Sequence, residues 1–166
     1  MEQASVILID DLNWYKQNRA EVEQQVKSGK RAIFLELNTG DYTIADSYVT
    51  VENTVMGEYY FVSPTTGHNM VAWAKPMDFK FWYNSKEEGV RPFINKVFKA
   101  EGWTPILNSG RTSWKAGDQG AYLAAAEMKS GEGSYIINQL QLNNRVKSNP
   151  VAKIFVNNLI NTKYSE

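Results

Sequence analysis

One histidine, His68 in "TTGHNM", is the natural starting point for acid–base chemistry, because imidazole titrates near neutrality. A general base of this kind needs a nucleophile beside it. No G-x-S-x-G elbow presents a serine, so hydrolysis of the Ser-His-Asp type is not expected. The competing role for His68 is a loop residue hydrogen-bonded to the backbone. Two neighbouring carboxylates, Asp10 and Asp11, follow the apolar run "VILI", and Glu36 and Asn38 stand at the end of "RAIFLEL". Both groups fall just outside the carboxyl end of an expected strand, where open α/β sheets bind ligands. A cation or a sugar hydroxyl suits such a place. Spacing identifies no third metal ligand, however, and a role in capping the next turn, or simple solvation, outweighs the site reading for Asp10 and Asp11. Five tryptophans add flat faces that pack against sugar rings. Trp73 and Trp82 lie in apolar segments and are expected inside, whereas Trp14 and Trp114 lie in polar stretches and are expected at the surface. The candidate ligand-binding set is therefore Asp10, Asp11, Trp14, Asn38, His68 and Trp114, with no catalytic set, no metal and no cofactor. Neither G-x-G-x-x-G nor G-x-x-x-x-G-K-[ST] is present to cradle a phosphate.

The whole composition narrows the classes further. A chain of 166 residues, 43% hydrophobic, is sized for one domain with a real core. Eighteen basic and eighteen acidic residues cancel, which disfavours nucleic acid as a partner. The absence of cysteine removes thiolate nucleophiles, disulfides and cysteine-bound metals together. No apolar run approaches the roughly 20 residues that cross a bilayer, so a soluble chain is expected. Without a basic and apolar leader it reads as cytoplasmic or as a piece of a longer precursor.

These residues must be positioned by elements that the pattern predicts. "VILI" at 6–9 and "RAIFLEL" at 31–37 read as strands buried on both faces. Between them "RAEVEQQVKSG" reads as a helix, with Asn18 and Glu21 as a capping box and Gly29 as the stop. Strand, helix, strand implies a parallel crossover. "SYVTVE", "EYYFV" and "DFKFWYN" read as strands, "NMVAWA" as a helical turn, and "WTPILNS" as extended because of Pro105. Residues 85–100 resist assignment, and 110–120 read as an exposed loop. "AYLAAAEM" and "SYIINQL" form a hairpin about Gly131 and Gly133, both suited to positive φ. Asn149 and Pro150 open a last helix whose stripe is Val151, Ile154, Phe155, Leu159 and Ile160. The expected architecture is a mixed, mainly parallel sheet with helices on both faces and an antiparallel hairpin near the C-terminus.

The final third, "GEGSYIINQLQLNNRVKSNPVAKIFVNNLI", resembles the end of the amidotransferase-like α/β domain appended to bacterial glycoside hydrolases of the family 2, beta-galactosidase-like type. Its matching positions are Gly131, Gly133, Gln139, Leu140, Asn149, Pro150, Val151, Ala152, Asn158 and Leu159. "EVEQQVKSGKRAIFLEL" and "HNMVAWAKPMDFKFW" match the same pattern in order, so the resemblance covers most of the chain. It implies a class I glutamine amidotransferase-like, flavodoxin-like domain over 1–166, lacking its first strand-helix unit. Amidotransferase activity itself is excluded, since "LNTG" stands where that family carries its cysteine. The parent's glycosidase chemistry needs two carboxylates on a barrel of about 250 residues, too large for this chain. What the resemblance implies is a non-catalytic accessory domain in a periplasmic or secreted hydrolase. Its implied partners are the other domains of the parent, carbohydrate, and a second copy of the chain. The alternative is a carbohydrate-binding module in its own right; an independent hydrolase using His68 ranks third.

Overall fold

The computed structural model describes residues 5–54, 62–111 and 120–162. The chain opens with β1 (Val6–Ile9), α1 (Leu12–Lys27) and β2 (Arg31–Leu35), as the strand-helix-strand pattern predicts, and β1 pairs with β2 in parallel. A run of strands follows: β3 (Gly40–Ile44), β4 (Ser47–Asn53), β5 (Trp82–Asn84), β6 (Gly89–Arg91), β7 (Lys96–Ala100), β8 (Thr104–Arg111), β9 (Gly120–Ser130) and β10 (Gly133–Asn138). Single turns of 3₁₀ helix, Asn69–Val71 and Pro76–Phe79, interrupt it, and α2 (Pro150–Asn161) ends it.

Eight strands form one sheet in the order β1-β2-β10-β9-β7-β4-β3, with β8 also pairing β9; β5 and β6 make a separate ribbon. This corrects the doubly wound, flavodoxin-like expectation. Only β1–β2 and β2–β10 are parallel, and the other pairings in the large sheet are antiparallel. The physical reason lies between β2 and β10. Further parallel pairing would need a helical crossover after each strand, whereas short turns join β3 to β4, β7 to β8 and β9 to β10. With two α-helices among the described residues, the sheet buries itself chiefly by curling into a half-barrel.

Strand alternation divides the interior into two cores. Ile33 and Ile136 face one core, with Phe155 and Leu159 of α2, Phe79, Trp82 and Phe93. Ala32, Phe34, Tyr135 and Ile137 face the other, with Tyr15, Val22 and Val26 of α1 and Ile44, Val49 and Val51 of β3 and β4. Helix α1 thus touches both ends of the sheet order, filling the space the curl encloses; Arg19 ties it to Asp46 in the β3–β4 turn at 2.7 Å.

Several boundaries depart from expectation. Asp11, with extended backbone, caps α1, so the helix starts before Asn18. Asn18 instead leaves helical geometry (φ −108°, ψ 15°) and donates from Nδ2 to Trp14 O, a backbone competition that kinks the helix. In "DFKFWYN" only Trp82–Asn84 is strand. Pro76 starts a 3₁₀ turn, so Phe79 and Trp82 point inward while Phe81 and Tyr83 are exposed. On α2 the buried residues are Ala152, Phe155 and Leu159; Ile154 and Ile160 are exposed, the helix being rotated to bring its alanine against the core. In "EYYFV" all but Val62 lies outside the described residues, as does most of the expected loop 110–120.

Gly131 takes positive φ (60°), but Gly133 does not; it is required for space. A Cβ there would stand 2.1 Å from Lys30 O and 2.3 Å from Val26 O, where the end of α1 crosses the β9–β10 turn. Gly133→Ala is therefore expected to destabilise the protein by about 3 kcal/mol. Denaturant unfolding measures this, and an unshifted midpoint would contradict the close approach.

Candidate functional site

Two clusters of chemistry-bearing residues emerge, one inside and one at the carboxyl end of the parallel strands. The inner one grows from Glu127, which interrupts the apolar run of β9 on the face that carries α2. Its carboxylate has no solvent exposure. Three donors surround it: Ser134 Oγ from β10, Arg31 Nη2 from β2 at 3.4 Å, and His68 Nε2 at 3.1 Å. Ser134 is a diagonal neighbour of Glu127 across the β9–β10 ladder, which pairs Gly133 with Ser130 and Ile136 with Glu127. Arg31 donates further to Ser134 Oγ and to the carbonyls of Leu159 and Thr162, which end α2. A guanidinium over helix-terminal carbonyls also complements the helix dipole. His68 Nδ1 accepts from Met70 N at 3.3 Å, capping the Asn69–Val71 turn. That bond leaves the proton on Nε2, facing Glu127.

Burial pushes the Glu127 carboxyl upward, but the His68 and Ser134 hydrogen bonds and the charge of Arg31 outweigh it and hold the group below the usual carboxylate range. Burial lowers the Arg31 guanidinium from its ordinary value. Chemically this arrangement is a staple. The Ser134 hydroxyl donates to a carboxylate rather than to an imidazole, so no base activates it, although it lines with Arg31 a pocket of about 430 Å³ beside the end of α2.

The second cluster is the one the sequence pointed to. Asp10, Asp11 and Asn38 line one cleft of about 320 Å³, together with Lys16, Glu36 and Tyr42. Asp11 is engaged there as the α1 cap, its Oδ1 accepting from Asn13 N at 2.7 Å and Trp14 N at 3.3 Å. Tyr42 Oη donates to Asn38 O at 2.8 Å. Glu36 sits at φ 49° where β2 ends, its N–H donating to Asn138 O, and burial raises its carboxyl above the usual range. Among the described residues no group of three His, Cys, Asp or Glu is arranged to hold a metal.

Of the remaining candidates, His68 belongs to the inner cluster, far from this cleft in role and partners. Trp14 is 44% exposed on the first turn of α1 and does not line the cleft, while Trp114 lies outside the described residues. Trp82 is buried and Trp73 half-buried, as expected. Sequence reasoning missed Glu127, Ser134 and Arg31. A charged residue inside "AYLAAAEM" and another heading "RAIFL" are the signal: polar groups at inward strand positions require partners.

The polar run 139–149 ties the end of β10 to the chain after β2 and to the β5–β6 ribbon. Gln139 donates from Nε2 to Leu37 O at 3.1 Å. Arg145 donates to Pro92 O at 2.7 Å, and Asn149 brackets Tyr83 by donating to its carbonyl and accepting from its N–H, both at 2.8 Å. The amide side chains thus replace missing ladder bonds.

The chain matches no protein-family model and no curated protein. A distant structural neighbour is the crystal structure of beta-galactosidase from Bacillus circulans sp. alkalophilus, with 12% identity and a TM-score of 0.45. The likeness covers 93% of this chain and 21% of that one, so the chain spans well under a third of that neighbour's length.

Two outcomes test the clusters. Because Glu127 is held below its unfolded value, its contribution is complete above the ordinary carboxylate range and is lost as pH falls through the folded value. Wild-type stability should therefore drop on acidification below about pH 5 more steeply than that of Glu127→Gln. At neutral pH the variant, which leaves Arg31 buried without its counter-charge, should be less stable by about 3–5 kcal/mol. Parallel denaturation series across pH check both. Asp11→Ala should cost about 1 kcal/mol through the lost cap, read from thermal unfolding.

Proposed function

We propose that the chain is a non-catalytic accessory domain of a carbohydrate-hydrolysing enzyme, packing against its other domains and shaping access to its active site. The observation that carries this reading is the fate of the single histidine. Among the described residues, the cluster that combines His68, Ser134 and Glu127 has its carboxylate buried and its serine spent on that carboxylate, and its donors pin the end of α2 and a 3₁₀ turn. That weighs against an independent hydrolase built on His68. The ordered sequence matches to domains appended to glycoside hydrolases support the sugar-cleaving context, and the partners on this reading are the parent's other domains. A carbohydrate-binding module is the second reading; exposed aromatic rings carried on regular elements, Trp14 on α1 and Tyr48 on β4, favour it.

Assayed alone with chromogenic galactosides and glucuronides, the chain should give no turnover. Deleting it from its parent should lower the parent's thermal midpoint or change its substrate range. Turnover by the chain alone that vanishes in His68→Ala, or a parent without any glycosidase domain, would sink the proposal.

A further inference from the structure

We propose that the groove beside Tyr48 is a binding site for a short, uncharged oligosaccharide, with the Tyr48 ring as its platform. This rests on the carbohydrate-binding reading above and places the ligand away from the carboxyl-end cleft.

The groove, of about 660 Å³, lies between the β3–β4 turn and the β7–β8 turn, with Asp46, Ser47, Tyr48, Thr50, Lys99 and Glu101 along it. Its volume falls in the range of small-molecule sites. Tyr48, the second residue of β4, is 63% exposed, a large aromatic side chain left open to water on a paired strand. An aromatic face left open to water offers its quadrupole and apolar area to the C–H face of a sugar ring. The hydroxyls of that sugar need both donors and acceptors within reach, and the groove supplies an ammonium, hydroxyls and carboxylates.

These groups are held in place before any ligand arrives, which lowers the ordering cost of binding. Ser47 Oγ donates to Glu101 O at 2.9 Å, joining the two turns. Thr50 Oγ1 donates to Asp41 Oδ1 at 2.9 Å. Lys99, paired with Thr50 across β4 and β7, holds its ammonium 4.5 Å over the Tyr122 ring. The β3–β4 turn places Ala45 and Asp46 at φ 49° and 61°, in the left-handed region without a glycine. The Arg19–Asp46 ion pair at 2.7 Å anchors that turn to α1. Strain of this kind persists where the surroundings over-determine the backbone, and here it forms the groove's wall.

Charge selects among saccharides. Of the two carboxylates along the groove Asp46 is already paired with Arg19, and Glu101 and Lys99 carry opposite charges, so the signs balance: a uronate gains no net attraction and a neutral sugar loses none.

Titration calorimetry of the chain with short neutral oligosaccharides of galactose, glucose and xylose, alongside oligogalacturonate, tests the site. Heat is expected with at least one neutral sugar and not with the uronate. Affinity should fall by about tenfold or more in Tyr48→Ala and stay within about twofold in Tyr48→Phe, which keeps the ring. Met77→Ala, at an exposed position outside the groove, should bind like the wild type. Because Tyr48 is exposed, thermal midpoints should be unchanged and a loss of heat cannot be a loss of fold. Heat that survives Tyr48→Ala, or that disappears in Met77→Ala, overturns this placement while leaving the carbohydrate-binding reading intact. Silence with every neutral sugar overturns both, and leaves the accessory role to the deletion experiment.

Discussion

A carboxylate shut away from water must be surrounded by donors, and in this protein that requirement at Glu127 organises one whole side of the sheet. Its three donors come from β2, from β10 and from the loop that carries His68. Each donor has a second task. Arg31 holds the carbonyls that end α2, Ser134 fixes the diagonal across the β9–β10 ladder, and His68 caps a 3₁₀ turn. A one-residue slip of β9 would carry Glu127 to the opposite core, where Ala126 and Met128 sit among apolar neighbours. The buried charge therefore links register and helix position to stability, because a chain that misplaces Glu127 leaves Arg31 buried without its counter-charge.

The second organising feature is β9 itself. It pairs β10 over Ala125–Ser130, β8 over Gly120–Glu127 and β7 at Leu123, so the parallel strands and the antiparallel meander meet along one strand. The curl that results encloses α1 between β2 and β10 on one side and β3 and β4 on the other. Direct pairing of β4 with β7 sets the β3–β4 and β7–β8 turns side by side around the Tyr48 groove, and parallel pairing of β1 with β2 sets their carboxyl ends together at a separate cleft.

Particular residues show how far pattern reading reaches. The expected strands in 31–37 and 134–140 form with both faces covered, whereas 6–9, expected to be buried on both faces, is a strand at the sheet edge that leaves Leu8 58% exposed. Pro150 marks the start of α2 because its fixed φ suits the first helical position, while the Asn149 side chain before it bonds Tyr83 rather than capping the helix. Asp10, Asp11 and Asn38 share a cleft because strand ends are local too. Residues 76–84 misled, since an alternating apolar string says nothing of the φ that Pro76 imposes or of which side meets Phe155. The parallel motif at the start also suggested a parallel whole, although the short turns after β3, β7 and β9 allow only antiparallel return.

By itself, the sequence determined the strand-helix-strand opening, the final hairpin and helix, and the absence of cysteine chemistry, because each depends on neighbours a few residues apart. Tertiary structure alone decided the curl of the sheet, the partners of Glu127 and the exposure of Tyr48. Those depend on which strands meet, on donors separated by up to 96 positions along the chain, as Arg31 and Glu127 are, and on where the packed core runs out. No local pattern encodes such distances, since a side chain's burial and bonding partners are set only when the chain closes on itself.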